Sequence, residues 1–212
     1  MHQQSGGDIE FWFDFGSNYS YLSAMRIEPL ARAAGVTVTW MPFLLGPIFQ
    51  SFGWSSSPFV LQKEKGAYVW RDMQRECRKY GLPWRRPSTF PRGSVLAARV
   101  GVLGAGQAWL VPFCQAVMER NFVADQEIDG EADVAEVLTA LGLDAQATIA
   151  RAQSDVNKAS LRARGEQARE RGIFGAPSLF VGDELFWGND RLEDAIALAH
   201  SCERADAAGL RT

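Results

Sequence analysis

The 212-residue chain has a formal charge of −3, and 47% of its residues are hydrophobic. This composition predicts a soluble globular protein with one substantial core, and it argues against nucleic-acid binding, which normally requires a surplus of basic residues. The sequence contains no apolar run of the roughly 18 residues that a membrane-spanning helix needs, and residues 1–7 lack the apolar segment of a signal peptide. The expected location is therefore the cytoplasm, without a membrane partner.

Cysteine and histidine are too sparse to suggest a disulfide framework or a metal site. Cys77, Cys114 and Cys202 are far apart and have helix-like surroundings, so we expect them to be packing residues. The two histidines, His2 and His200, form no cluster with metal-ligand spacing.

Residues 9–22, IEFWFDFGSNYSYL, pass from a strand pattern to a helix pattern. The aromatic run predicts a strand that is buried on both faces, and Gly16 ends it. Ser17 then has the position of a helix N-cap, where free backbone N–H groups attract anions. The SNYS motif at 17–20 has the spacing of a Cys-x-x-Cys redox motif, but serine replaces both cysteines and excludes a disulfide. Ser17 is thus either a simple cap or a hydrogen-bond donor to a ligand; no G-x-S-x-G elbow marks it as a nucleophile.

The first strand belongs to a predicted βαβ unit. A helix over 17–34 contains Pro29 and stops at Gly35, and a strand follows over 36–40. Such units are right-handed with parallel strands, so Ser17 lies at the ligand-facing edge of the sheet.

The middle of the chain is predicted to be helical and its end to return to a sheet. Residues 42–58, rich in turn residues, read as an apolar loop that either lines a pocket or folds back on the core. Helices are expected over 61–80, 94–104, 108–122, 131–141 and 144–171, the last broken near Ser154 or Gly165. Strands over 178–181 and 184–187 join at Gly182-Asp183, and a final helix begins at Asp190.

This order of elements predicts an α/β protein with a thioredoxin-like fold and a large all-helical insertion. The expected parts are residues 1–43 (βαβ), residues 44–165 (the insertion) and residues 166–212 (ββα).

A basic segment lies between residues 75 and 92, where six positive side chains accompany the single negative Glu76. The six are Arg75, Arg78, Lys79, Arg85, Arg86 and Arg92. The segment is either a solvated face or a docking surface for an anionic ligand.

Ala176-Pro177 immediately precedes a strand, where a cis bond is a known device for a tight turn. Together with FDFGSNYSYL at 13–22 and GIFGAPSLFVGDELFWGNDRLE at 172–193, it makes the chain resemble the 2-hydroxychromene-2-carboxylate isomerases. These enzymes are DsbA-like and close to the kappa-class glutathione transferases. The resemblance spans roughly residues 8–199.

The resemblance implies glutathione as cofactor. Ser17 matches the catalytic serine that holds the glutathione sulfur, and Ala176, before Pro177, matches the residue whose backbone pairs with the cysteinyl unit. The segment that receives the γ-glutamyl end corresponds to Trp187, Gly188, Asn189 and Asp190. For Asp190 a second reading stays open, because Asp190 and Glu193 form a helix-capping pattern.

At the positions that contact substrate in this family, the sequence departs from the usual residues. Gln50 and Trp54 stand where many members of the family have lysine and asparagine that touch substrate, and Asn18 stands where members usually have proline. We add Arg85, from the basic segment, as a candidate substrate contact. The resemblance further implies a small aromatic carboxylate as substrate and a homodimer.

The chemistry of Ser17 can be weighed independently of the family. Lowering a thiol pKa from about 8.5 by about two units requires roughly 2.7 kcal/mol in favour of the thiolate. A hydroxyl hydrogen bond to an anion supplies about 1.5 to 3 kcal/mol, and a helix N-terminus roughly 0.3 to 1 kcal/mol more. Because the motif has no cysteine, the thiol must come from a ligand.

The expected function is a glutathione-dependent isomerase that interconverts 2-hydroxychromene-2-carboxylate, or a related aromatic catabolite, and trans-o-hydroxybenzylidenepyruvate. The expected mechanism is reversible addition of the thiolate to an unsaturated carbon. The alternatives are a kappa-like glutathione transferase acting on electrophiles and a non-catalytic module that binds a thiol compound.

Overall fold

The computed structural model describes residues 7–207. Its strands are β1 (Ile9–Phe13), β2 (Val38–Pro42), β3 (Ser178–Val181) and β4 (Glu184–Trp187). Its helices are α1 (Asn18–Ala34), α2 (Leu45–Ser51), α3 (Pro58–Leu61), α4 (Lys63–Tyr80), α5 (Val95–Leu103), α6 (Leu110–Phe122), α7 (Glu131–Ala140), α8 (Ala145–Ala152), α9 (Asp155–Glu170) and α10 (Leu192–Ala207), the last preceded by a 3-10 turn at Asn189–Arg191.

The four strands form one mixed sheet in the order β2-β1-β3-β4. β1 and β2 are parallel, whereas β3 is antiparallel to both β1 and β4. In this register Phe13 pairs with Pro42, and Ser178 pairs with both Trp12 and Trp187. The carboxyl ends of β1, β2 and β4 and the amino end of β3 therefore meet at one end of the sheet, which we call the Phe13 end. The predicted βαβ and ββα order is confirmed.

The central strand β1 is buried on both faces, as its sequence predicts. Phe11 and Phe13 stack with 5.0 Å between ring centroids, on the face covered by α1 and the helices of the middle of the chain. Trp12 points to the other face, where it packs in a smaller cluster that we call the Trp12 cluster. The Trp12 cluster comprises Trp12, Met41, Phe43, Ile48, Ala168, Ile173 and Phe180, with Leu45, Ala176 and Leu185 packed against it.

Residues 42–58 were predicted to be a loop, and this is wrong in part because they contain α2 and the start of α3. The Gly46-Pro47 pair that suggested a turn lies in the first helical turn of α2. A proline is tolerated there because the N–H groups of a first turn have no partner within the helix.

Other boundaries differ by small amounts. β2 begins at Val38 rather than at residue 36, and the helical stretch 144–171 breaks at Ser154, which caps α9, and not at Gly165. The hairpin turn at Gly182-Asp183 forms as predicted, with φ 58° at Gly182.

The helices of the middle of the chain share the core of the sheet. Phe15, just after β1, meets Phe113 of α6 edge to face at 6.2 Å, and a Cβ on Gly101 of α5 would lie 2.9 Å from the Pro42 ring. The proposed boundary at residue 43 thus lies next to a close contact, and the one at residue 165 falls inside α9. Among residues 7–207, no helix has the length and apolar character needed to cross a bilayer.

Candidate functional site

Ser17 lies at the Phe13 end of the sheet, between β1 and α1. Gly16 ends the strand, and Ser17 adopts an extended backbone (φ −85°, ψ 117°) that starts the helix. Its Oγ accepts a hydrogen bond from the backbone N–H of Ser20 at 3.2 Å, so the predicted N-cap is confirmed. Since the cap uses an oxygen lone pair, the hydroxyl proton of Ser17 remains available to donate.

The hydroxyl of Ser17 donates to the backbone carbonyl of Ala176 at 3.0 Å, across 159 residues of sequence. The Ala176-Pro177 peptide bond is cis, as predicted. The carbonyl of Pro177 in turn accepts the N–H of Gly188 at 3.0 Å. Hydrogen bonds thus join the three sequence motifs that were predicted to share a site.

The Trp187–Asp190 segment continues this surface. Trp187 is half-exposed, stacks obliquely on the half-exposed Phe174 at 4.9 Å, and covers Gly175, where a Cβ would lie 2.3 Å from the indole nitrogen. Phe174 was not singled out in the sequence, although the exposed pair adjoins the cis-proline turn.

Asn189 and Asp190 have different surroundings. Asn189 is buried, and its Oδ1 accepts hydrogen bonds from Ser23 at 3.2 Å and from Arg26 at 2.9 Å. Asp190 is exposed, with Arg191 at 3.8 Å. Glu193, the second residue of the expected Asp190–Glu193 capping pattern, instead pairs with Arg26. Its carboxylate therefore holds α1 against α10.

Two polar atoms beside Ser17 are buried without a hydrogen-bond partner among the described residues. They are Nδ2 of Asn18 and Oγ of Ser20. Buried polar groups are nearly always paired, and because both residues are almost fully buried, a buried water is the expected partner of each atom.

The chain's own buried cysteines are poor nucleophiles. Burial raises the pKa of the Cys77 thiol to about 12 and raises that of Cys114 well above its usual value. Tyr19, within the 17–20 motif, donates its phenol proton to Asp72 at 2.7 Å, and burial and that bond raise its pKa. Neither these thiols nor this phenol is ionised at neutral pH.

A second cis-proline turn packs on the residue before Ser17. The Phe90-Pro91 bond is cis, and a Cβ on Gly16 would lie 3.0 Å from the carbonyl oxygen of Arg92. Gly16 therefore packs closely against this turn, and a side chain there would have to displace the turn slightly.

The Arg92 side chain, 2% exposed, holds that turn in place. Its guanidinium contacts Asp125 at 2.6 Å, Glu127 at 3.1 Å and Oδ1 of Asn121 at 2.9 Å. Asn121 then donates from Nδ2 to the carbonyl of Phe15 at 3.0 Å. We call Arg92, Asn121, Asp125 and Glu127 the Arg92 hub. In the sequence, Arg92 is one of six positive residues of a basic segment, a pattern that does not reveal this role.

The Arg92 hub predicts a pH dependence of stability. The hydrogen bond from Arg92, aided by the N–H of Ser88, lowers the pKa of Asp125 to about 2 from 3.8. A lowered folded-state pKa contributes stability that is present above pH 3.8 and is lost as the pH falls towards 2. We therefore expect Asp125→Asn to be less stable than the wild type at pH 7, and the difference to shrink between about pH 4 and pH 2 in urea titrations. A constant difference over that range would contradict the pairing.

The three candidate substrate contacts, Gln50, Trp54 and Arg85, are all exposed. Gln50 is exposed on α2, which begins at the Phe13 end, and Trp54 packs on Phe49 with 5.5 Å between centroids. Arg85 is 66% exposed and lies 3.9 Å from Asp125 of the Arg92 hub. Among the described residues, no hydrogen bond or ring contact joins any of the three to Ser17 directly.

Comparisons with known proteins agree with this architecture. The model of the DSBA-like thioredoxin domain family matches residues 8–197. A 2-hydroxychromene-2-carboxylate isomerase of Sphingobium xenophagum is 31% identical over 87% of this chain and 94% of its own length. A second, from Pseudomonas putida, is 29% identical over 87% of this chain and 90% of its own length. A solved 2-hydroxychromene-2-carboxylate isomerase superposes with a TM-score of 0.84 at 27% identity, covering 97% of this chain and all of that one.

Proposed function

We propose that this chain, which belongs to the 2-hydroxychromene-2-carboxylate isomerase family of DSBA-like thioredoxin domains, is a glutathione-dependent isomerase of an aromatic 2-hydroxychromene carboxylate. Membership of the family indicates an isomerase. The finer part of the proposal, the use of glutathione and the identity of the substrate, rests on the residues around Ser17.

One observation carries the proposal: the hydroxyl of Ser17 donates to the carbonyl of Ala176 beside a cis-proline. A backbone carbonyl in the bend before β3 and a hydroxyl donor at a helix N-terminus are adjacent there. A thiol peptide placed along Ala176 can take the hydroxyl's hydrogen bond at its sulfur and offer an N–H to the carbonyl that is released. The hydroxyl of Ser17 and the carbonyl of Ala176 therefore fit a thiol peptide such as glutathione.

Glutathione, when bound, would supply a thiolate able to add reversibly to an unsaturated carbon of the substrate. Ser17 favours the ionised sulfur through its hydroxyl and through the N-terminus of α1. We assign Ala176, Pro177 and Trp187 to the glutathione peptide. Asp190, as an exposed carboxylate, is suited to an ammonium group of the γ-glutamyl end.

The substrate end of the proposal involves the surface residues. Arg85 is a largely exposed guanidinium that can meet a substrate carboxylate, a geometry for which arginine is well suited. Gln50 and Trp54, on the α2 side of the Phe13 end, are proposed to contact the aromatic ring.

The test is a turnover assay in which a 2-hydroxychromene-2-carboxylate is followed by absorbance as it opens to the conjugated ketoacid. We expect the rate to rise with glutathione and to saturate, and S-methylglutathione, whose sulfur cannot ionise, to inhibit. A rate that is the same with and without glutathione would contradict the proposed cofactor. Release of a glutathione conjugate, detected by mass spectrometry, would instead support a kappa-like transferase.

A further inference from the structure

We propose that Asp14 is the positioning residue of this site: its carboxylate fixes the turn that carries Ser17 and ties that turn to α2 and α5. Asp14 lies at the end of β1, three residues before Ser17, and is buried. The part of this role that concerns a bound thiol rests on the proposed function.

The first element held by Asp14 is the turn itself. The backbone carbonyl of Asp14 accepts the N–H of Ser17 at 3.0 Å, which closes a four-residue turn. Within that turn, Oδ1 of Asp14 accepts the N–H of Gly16 at 2.7 Å. Aspartate at the first position of a turn bonds its own backbone two residues on in this way, so main chain and side chain of one residue together set the direction of Ser17.

The second element is α2. Its N-cap residue, Leu44, has no side-chain oxygen, and the N–H of Leu45 is bonded to Oδ2 of Asp14 at 2.7 Å. A carboxylate from another part of the chain thus caps this helix, in the place where a negative charge is favourable. The same carboxyl group therefore fixes the turn before Ser17 and the start of the helix that carries Gln50.

The third element is α5, in the helical middle of the chain. Ser94, its N-cap residue, makes no capping bond of its own but donates its hydroxyl to Oδ1 of Asp14 at 3.2 Å. The N–H of Leu96 is satisfied by Asp129 instead. The Asp14 side chain thereby accepts hydrogen bonds from three donors on three segments. Only a side chain in which both terminal atoms are acceptors, as in a carboxylate, can accept all three.

Burying this carboxyl group disfavours its ionised form, and this affects the pKa of Asp14. Burial raises the pKa of its carboxyl above 3.8, the N–H groups of Leu45 and Gly16 and the Ser94 hydroxyl oppose that shift, and nearby Asp129 adds to it. A buried carboxylate with every donor directed at it is typical of a position that holds geometry.

The inference can be tested first on the protein without any ligand. In an NMR titration of the wild type, we expect the amide protons of Gly16 and Leu45 to shift with one common midpoint, that of the Asp14 carboxyl carbon. An amide proton that donates to a carboxylate senses its ionisation directly. Amide resonances that do not move through the Asp14 titration would overturn the proposal, whether or not the protein uses glutathione.

The second test compares Asp14→Asn with Ser94→Ala, using the ultraviolet absorbance of the thiolate of bound glutathione against pH. Removing a nearby negative charge by itself lowers a thiol pKa, whereas loss of the Ser17 geometry raises it. We expect Asp14→Asn to raise the midpoint by about one pH unit, the size of a lost charged hydrogen bond, and Ser94→Ala, which keeps both backbone bonds, to leave it within a few tenths.

The outcomes separate the possible failures. A folded Asp14→Asn protein whose thiol midpoint is unchanged or lower would overturn the positioning role, even if its melting temperature falls. If that variant does not fold, the amide titration of the wild type decides. If the wild type binds no glutathione, the proposed function fails. The amide titration still tests whether the Asp14 carboxyl fixes the turn before Ser17.

Discussion

Replacing Ser17 with alanine is expected to reduce turnover by about 10- to 100-fold, because it removes the proposed hydrogen bond, of about 1.5 to 3 kcal/mol, to the glutathione sulfur. The bound thiol pKa is expected to rise by about one to two units, towards the free value of about 8.5. The fraction of thiolate at neutral pH falls accordingly. The loss should appear in kcat and in the thiolate absorbance more than in calorimetric affinity, because most peptide contacts remain.

Ser20→Ala is the matched control for this prediction. Ser20 lies in the same motif, is fully buried, and its hydroxyl has no hydrogen-bond partner among the described residues. Its removal deletes one oxygen atom without breaking a bond to Ser17, since the cap uses the backbone N–H of residue 20. Equal losses in the two variants would show that the motif matters for packing and not through the hydroxyl of Ser17.

The second large effect is expected for Arg92→Ala, in the Arg92 hub. Removing the guanidinium, which is itself 2% exposed, leaves the largely buried Asp125 and Asn121 and the exposed Glu127 without their shared donor. Breaking a buried ion pair by removing one partner costs about 3 to 5 kcal/mol. We expect the free energy of unfolding to fall by at least about 3 kcal/mol and the melting temperature by roughly 6 to 12 °C.

Arg85→Ala provides the control, because Arg85 approaches the same carboxylate of Asp125 but is 66% exposed and 3.9 Å away. An exposed pair of this kind contributes little, so the change should stay within about 0.5 kcal/mol. Urea unfolding of both variants measures the difference. If Arg92→Ala were as stable as Arg85→Ala, the Arg92 hub would not support the Pro91 turn as described.

The parts of the fold that follow from local chemistry were predictable from the sequence. The buried strand, the Ser17 cap, the Gly35 stop and the turn at Gly182-Asp183 each depend on residues within a few positions of one another. The cis bond before Pro177 was also predicted, because its place before a strand is a local signal.

The supports of the site depend on contacts between distant residues and were not predicted. Asp14 meets Ser94 across 80 residues, and Asn121 meets the Phe15 carbonyl across 106. A count of charges between residues 75 and 92 could not reveal that Arg92 is paired with acidic residues more than 30 positions later. Helix α2 was likewise not predicted, because its first residues resemble a turn. Its cap comes from Asp14 and not from its own sequence.

The most direct test of the account is the pKa of the glutathione thiol when it is bound to the wild-type protein. Calorimetry first establishes binding, and the ultraviolet thiolate absorbance is then followed against pH. The account predicts a midpoint about two units below the free value of about 8.5, so that the bound sulfur is mostly ionised at neutral pH. Binding with an unshifted midpoint, or no binding at all, would contradict the assignment of Ser17 as the residue that activates the thiol.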